Sequence, residues 1–125
     1  MYTVTVEREF VAQHFLTVPD PGPEGDLHSH RYTAKVELAG EELNRYGYLA
    51  DIDAVEERID ATVARFRDAT LNDLPAFEGL NPSLEHFARI FGERFRRDLD
   101  APEIEAVTVK LQEDSIAWAS HRREV

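Results

Sequence analysis

The chain has 125 residues, no cysteine and a formal net charge of −11, from 25 acidic and 14 basic side chains. That length supports one domain, expected over residues 1–125, with its own core, and the lack of cysteine excludes disulfides, thiolate metal ligands and a cysteine nucleophile. The acidic balance lacks the footprint of a nucleic-acid binder. No apolar run approaches the roughly 18–20 residues of a membrane span, and the N-terminus carries no basic and apolar leader pattern. A soluble, cytoplasmic protein without nucleic-acid or membrane partners is expected. Only Lys35 and Lys110 are lysines, and the other basic residues are all arginine. This skew suits a high-salt cytosol, where acidic charge is screened; drift in a GC-rich genome is the alternative.

Residues 2–14 alternate, with Tyr2, Val4, Val6, Phe10 and Ala12 on one face and Thr3, Thr5, Glu7 and Glu9 on the other. This is the pattern of a half-buried strand. Arg8 interrupts the apolar face and marks an end, a bulge or an oligomer contact. Residues 17–26 (TVPDPGPEGD) hold three prolines and two glycines and must be loop. A second strand starts at His28 and runs to about Leu38, with Tyr32, Ala34, Val36 and Leu38 on its buried side. Strand, loop and strand predict an antiparallel pair.

A turn is expected around Gly40 and an extended piece near Tyr46-Gly47-Tyr48-Leu49-Ala50. Asp51 or Asp53 can cap the following helix. Ile52, Val55, Ile59, Val63 and Phe66 recur at helical spacing, which predicts a helix over 52–68. A connector holding Pro75 and Gly79 follows. The second helix is expected to begin at Asn81-Pro82-Ser83, with Pro at a first helical position and Asn or Ser as cap. Phe87, Ile90, Phe91 and Phe95 form its apolar stripe, and it should stop near Leu99. The last strands are expected at Val107–Leu111 and Ile116–Ser120, with Glu113-Asp114-Ser115 in the hairpin between them. The order is ββααββ, an α+β fold with a four-stranded antiparallel sheet and two helices on one face. Its open sheet edges predict self-association.

The chemistry concentrates at Leu27-His28-Ser29-His30. In an extended chain, residues i and i+2 share a face, so His28 and His30 project side by side. A metal with nitrogen ligands needs this local bite and a ligand from elsewhere. His14, at the end of the first strand and returned toward the pair, is the third candidate. Glu113 has the parity of Val107, Val109 and Leu111 and could point inward from its strand end.

Four segments then carry a resemblance. Phe10-Val11-Ala12-Gln13-His14 resembles F-x-A-x-H, and Leu27-His28-Ser29-His30 resembles L-H-G-H. Asn81-Pro82-Ser83-Leu84-Glu85 resembles N-P-T-x-E, and Glu113 stands five residues before Trp118-Ala119, resembling E-x4-W-A. Tyr48-Leu49-Ala50-Asp51 is similar to the segment that precedes the first helix in the same proteins. Together these resemble the 6-pyruvoyl-tetrahydropterin synthase and 6-carboxy-tetrahydropterin synthase family, whose fold is the tunnelling fold, or T-fold.

The resemblance implies a zinc ion held by His14, His28 and His30. It implies a pterin ring anchored by Glu113 with help from Ser83, 7,8-dihydroneopterin triphosphate or a related dihydropterin as substrate, and a homohexamer. The family's products feed queuosine or archaeosine precursors or folate-type pathways. This sequence departs from the pattern at the proton-transfer residues. The family's cysteine falls on or near Glu24, and its Asp-His pair falls on Arg67-Asp68. One branch of the family uses glutamate in place of the cysteine, which makes Glu24 the candidate base and Asp68 the second catalytic candidate. Two functions follow: a zinc-dependent pterin lyase or synthase with an altered base, or a zinc- and pterin-like-ligand-binding protein that has lost catalysis.

Overall fold

Alternating hydrophobicity produces two long strands that pair antiparallel, β1 (Tyr2–His14) and β2 (His28–Gly40). The computed structural model covers residues 1–125 and continues through α1 (Ile52–Phe66), α2 (Leu84–Arg96), β3 (Ala106–Glu113) and β4 (Ala117–Glu124). The sheet order is β1-β2-β3-β4, with every neighbouring pair antiparallel. This is the expected four-stranded α+β fold with its two helices. No helix is long and apolar enough to cross a membrane.

The even positions of β1 and β2 and the odd positions of β3 form the buried face. Phe10, Ala12, Tyr32, Ala34, Val36, Leu38, Val107, Val109 and Leu111 all lie there. On α1, Val55, Ile59, Val63 and Phe66 are buried, whereas Ile52 at the first turn is half exposed and outside the core. On α2, Phe87, Ile90, Phe91 and Phe95 are all buried. Phe87 is the hub. Its ring centroid lies 5.1 Å from Tyr32, 5.2 Å from Phe66, 5.7 Å from Phe77 and 6.0 Å from Phe10. Such edge and offset contacts add to area burial.

Several expected details change, each for a local reason. Arg8 is neither an end nor a bulge. Its guanidinium reaches α1, donating to Asp60 at 2.8 Å and lying 3.8 Å from Glu56. Residues 46–50 are a turn rather than an extended piece. Gly47 takes φ 82°, and the Asn44 side chain accepts the amides of Tyr46 and Tyr48. Asp51 is the cap of α1, accepting from the Asp53 amide at 3.0 Å. Ser83 is the cap of α2, so Pro82 precedes the helix instead of opening it. The last strand begins at Ala117 and runs on to Glu124, leaving Ile116 exposed in the turn.

The β1 edge is partly closed. The Asp68 amide donates to the Val11 carbonyl and the Gln13 amide donates to the Ala69 carbonyl, and Gln13 bridges Thr70 in parallel. The far edge, along β4, pairs with nothing beyond β3. Removing the hub should test how far the core depends on it. Phe87→Ala is expected to cost about 3–5 kcal/mol, read as a lower denaturation midpoint with little change in m-value.

Candidate metal centre

The β1–β2 register sets His14 directly opposite His28. The i+2 rule then places His30 on the same face. The three rings meet edge to face, with centroids 4.6 Å (His14–His28), 5.1 Å (His14–His30) and 4.7 Å (His28–His30) apart. One ligand nitrogen from each lies within 4.8 Å of the other two.

Each ring is held by its other nitrogen. His14 Nδ1 lies 2.9 Å from the Pro82 carbonyl, His28 Nδ1 2.7 Å from the Asp26 carbonyl, and His30 Nδ1 2.6 Å from the Asp114 carboxylate. A carbonyl can only accept, so Nδ1 of His14 and His28 must carry the proton, and the ionised Asp114 demands the same of His30. All three Nε2 atoms of the neutral rings are then lone-pair acceptors turned toward one another. His28 Nε2 and His30 Nε2 are buried without a hydrogen-bond partner. Burial, opposed by the Pro82 carbonyl and reinforced by His28 and His30, lowers the His14 pKa and keeps that ring neutral. Converging acceptors with oriented Nδ1–H groups are the donor set of a bound cation. The residues present fit a zinc-type ion.

Carboxylates surround the triad. Glu113 sits opposite Tyr32 at the end of β3, and its Oε1 lies 3.4 Å from His30 Nε2. Burial raises its pKa, against the pull of His30, with Glu24 and Asp114 adding to the rise. Asp114 takes φ 51° in the β3–β4 turn. Its second carboxylate oxygen accepts the Arg31 amide at 3.0 Å. The bond to His30, then that amide, holds its pKa below the usual range. Glu24 stands exposed in the Gly22–Gly25 turn, close enough for its charge to act on both His14 and Glu113. The Tyr32 ring forms the floor, 1% exposed, 5.9 Å from His30 and 6.5 Å from His14. Its hydroxyl has no protein partner, and burial pushes its ionisation upward.

The remaining candidates are placed differently. Ser83 is committed to capping α2, accepting from the His86 amide at 3.1 Å. It adjoins the site through Pro82, whose carbonyl orients His14. Asp68 is exposed at φ 59° after α1, its backbone on the β1 edge, and its side chain makes no hydrogen bond or ion pair within the chain. Sequence reasoning missed three residues. Asp114 orients His30, and its only sequence signal was a second carboxylate beside Glu113. Asn72 grips the Phe15 amide and carbonyl at 3.0 and 2.9 Å, and Asn81 accepts the Thr17 amide at 2.9 Å. Both asparagines pin the chain that leaves His14.

The family described as 6-pyruvoyl tetrahydropterin synthase matches residues 3–124. The chain belongs to that family. The 6-pyruvoyl tetrahydropterin synthase of Caenorhabditis elegans has a similar structure, with TM-score 0.80 and 22% identity over 99% of this chain and 98% of the other. That of Plasmodium vivax gives TM-score 0.84 and 16% identity, with the same coverage. A putative dihydroneopterin aldolase of Vibrio cholerae gives TM-score 0.59 and 13% identity over 100% and 98%. At these identities the structures establish the shared T-fold. Within this family member, His14, His28, His30, Pro82 and Glu113 come from four separate segments and meet at the triad, whereas Trp118 lies with Lys35 and Lys110 on the other face of the sheet.

Two measurements probe the centre. Metal analysis of the wild type and of the His28→Ala/His30→Ala variant should find bound divalent metal only in the former. Asp114→Asn should keep the fold but weaken metal affinity by about 10–100-fold, the usual effect of losing a group that orients a ligand; equal affinities would remove Asp114 from the site.

Proposed function

We propose that this chain is a zinc-dependent pterin lyase or synthase acting on 7,8-dihydroneopterin triphosphate or a related dihydropterin. One observation carries the reading: three acceptor Nε2 atoms converge beside the half-buried Glu113. His14, His28 and His30 would hold the ion with one coordination position open, where it supplies a Lewis acid for a side-chain oxygen of the substrate. Glu113 fixes the ring, because a carboxylate can accept two parallel N–H bonds from an amino-pyrimidinone edge. Ser83 still has its hydroxyl proton to donate, and so can assist.

Glu24 is the base that moves a proton beside the carbinol carbon, which leads to loss or cleavage of the side chain. Its exposed turn lies near enough to the triad for the Glu24 charge to act on His14 and Glu113. Glutamate chemistry has support within the family: two Plasmodium vivax structures are catalytic-residue mutants in which a glutamate is replaced by alanine or cysteine. Asp68, turned to solvent at the sheet edge, is the second catalytic candidate and would act on the site of a neighbouring subunit. The open β4 edge and the exposed Ile116 and Trp118 support a homohexamer. The cytoplasm is the proposed location, and queuosine-type or folate-type biosynthesis the proposed setting.

One observation favours the second reading, a pterin-binding protein without turnover. His86 and His121 are the remaining histidines, and neither stands at the triad of its own chain. His86 Nδ1 is tied to the Asn81 carbonyl at 2.8 Å, and His121 lies opposite Val109 on β4.

Purified protein incubated with 7,8-dihydroneopterin triphosphate, with product analysis, decides between the two; a wild type that binds but never turns over leaves the binding role. Glu24→Gln should lower turnover by about 10²–10⁴ while ligand binding survives. Glu113→Gln should instead weaken ligand binding by about one to two powers of ten, since charged hydrogen bonds are worth about 1.5–3 kcal/mol. Light scattering at low and multimolar salt should give a hexameric mass. Salt matters because subunits of charge −11 repel when unscreened.

A further inference from the structure

A cavity of about 640 Å³ opens between the end of α1, the Pro75–Phe77 turn and α2. It is separated from the histidine triad by the layer of Phe66, Phe87 and Tyr32. Its apolar wall is Leu74, Pro75 and Ile90, and three arginines line it, Arg65, Arg94 and Arg97. That convergence stands out in a chain with 25 carboxylates and 14 basic groups. None of the three forms an ion pair or donates a side-chain hydrogen bond within the chain, and Arg94 Nε is buried without a partner. The one acid on the lining, Glu93, is already held by Arg89 at 2.9 Å. Asp98 is the carboxylate whose charge reaches Arg94.

Arginines at helix C-termini ordinarily complement the helix dipole and its free carbonyls. Here Arg58 does that for α2, donating from Nε to the Phe95 carbonyl at 3.1 Å and from Nη2 to the Arg94 carbonyl at 3.0 Å. Arg65, Arg94 and Arg97 are left with like-charged neighbours. Burial first, and then the like charges of Arg65, Arg97 and Arg58, lower the Arg94 pKa.

We propose that this cavity binds a multiply charged phosphate group on a small metabolite, with the guanidiniums taking the phosphate oxygens and Leu74 and Ile90 taking the organic body. Guanidinium forks match phosphate geometry and pair with it in bidentate fashion. The volume falls within the roughly 300–1,000 Å³ of small-molecule sites, which is more than inorganic phosphate alone requires. The site is independent of the pterin reading, because it shares no residue with the triad, Glu24, Ser83 or Glu113.

The test uses the full-length protein, calorimetric titration with inorganic triphosphate and with ATP, and arginine Nε–H NMR signals as a local readout. Wild type should bind both saturably, ATP more tightly, and shift the Arg94 signal. Arg65→Gln/Arg94→Gln should weaken both by at least about tenfold, and Arg65→Lys/Arg94→Lys should recover part of the affinity. His28→Ala/His30→Ala should keep the ligand-induced shift of the Arg94 signal, which separates this site from any triphosphate contact at the metal centre. The proposal is overturned if triphosphate fails to saturate, or if the Gln variant binds unchanged. It is also overturned if an acidic peptide such as oligoglutamate binds and ATP does not, since the cavity would then be a protein-docking surface.

Discussion

Three imidazoles can meet only because the β1–β2 ladder sets His14 opposite His28. Strand side chains alternate with period two, so a slip of one residue would turn every side chain of β1 to the other face. Such a slip would expose Phe10 and Ala12 to water as it removed His14 from the site. The burial of Phe10, Ala12, Tyr32 and Ala34 therefore fixes the ligand geometry as well as the core. The same packing makes Tyr32 the dry floor beneath the triad.

Register alone would leave the rings free to rotate. Their orientation comes from three oxygens on three distant segments: the Asp26 carbonyl before β2, the Pro82 carbonyl before α2 and the Asp114 carboxylate after β3. The centre is complete only when the loop, the helix layer and the second hairpin have all docked. Asn72 and Asn81 reinforce this by fastening residues 15–17 to the connector and to the start of α2. Bringing three lone-pair acceptors together costs folding free energy, so a cation bound there would stabilise the fold.

The charges are divided by the same architecture. Glu24, Glu113 and Asp114 gather around the triad, where a cation would relieve both their repulsion and that of the facing nitrogens. On the far side of the aromatic layer, arginines gather between the helices. An acidic chain thus gathers acceptor groups in one region and arginines in another, each a set of groups that repel one another.

The sequence by itself determined the strands, the helices and the pairing of His28 with His30, because each depends on periodicity or on short-range parity. Alternation placed β1 and β2, 3.6-residue spacing placed α1 and α2, and H-x-H set two candidate ligands on one face. It also showed the absence of the thiol and the proximity of two acids at Glu113-Asp114. Tertiary structure alone decided which oxygens orient the rings, because Pro82 and Asp26 act through backbone carbonyls that any residue carries. It alone turned Arg8 to α1, since an ion pair 52 positions apart leaves no local pattern. It also made residues 46–50 a turn, where Asn44 satisfied the amides that a strand would have paired. Arg65, Arg94 and Arg97 read in sequence as ordinary helix-end charges, and only the antiparallel packing of α1 on α2 brought them around one cavity.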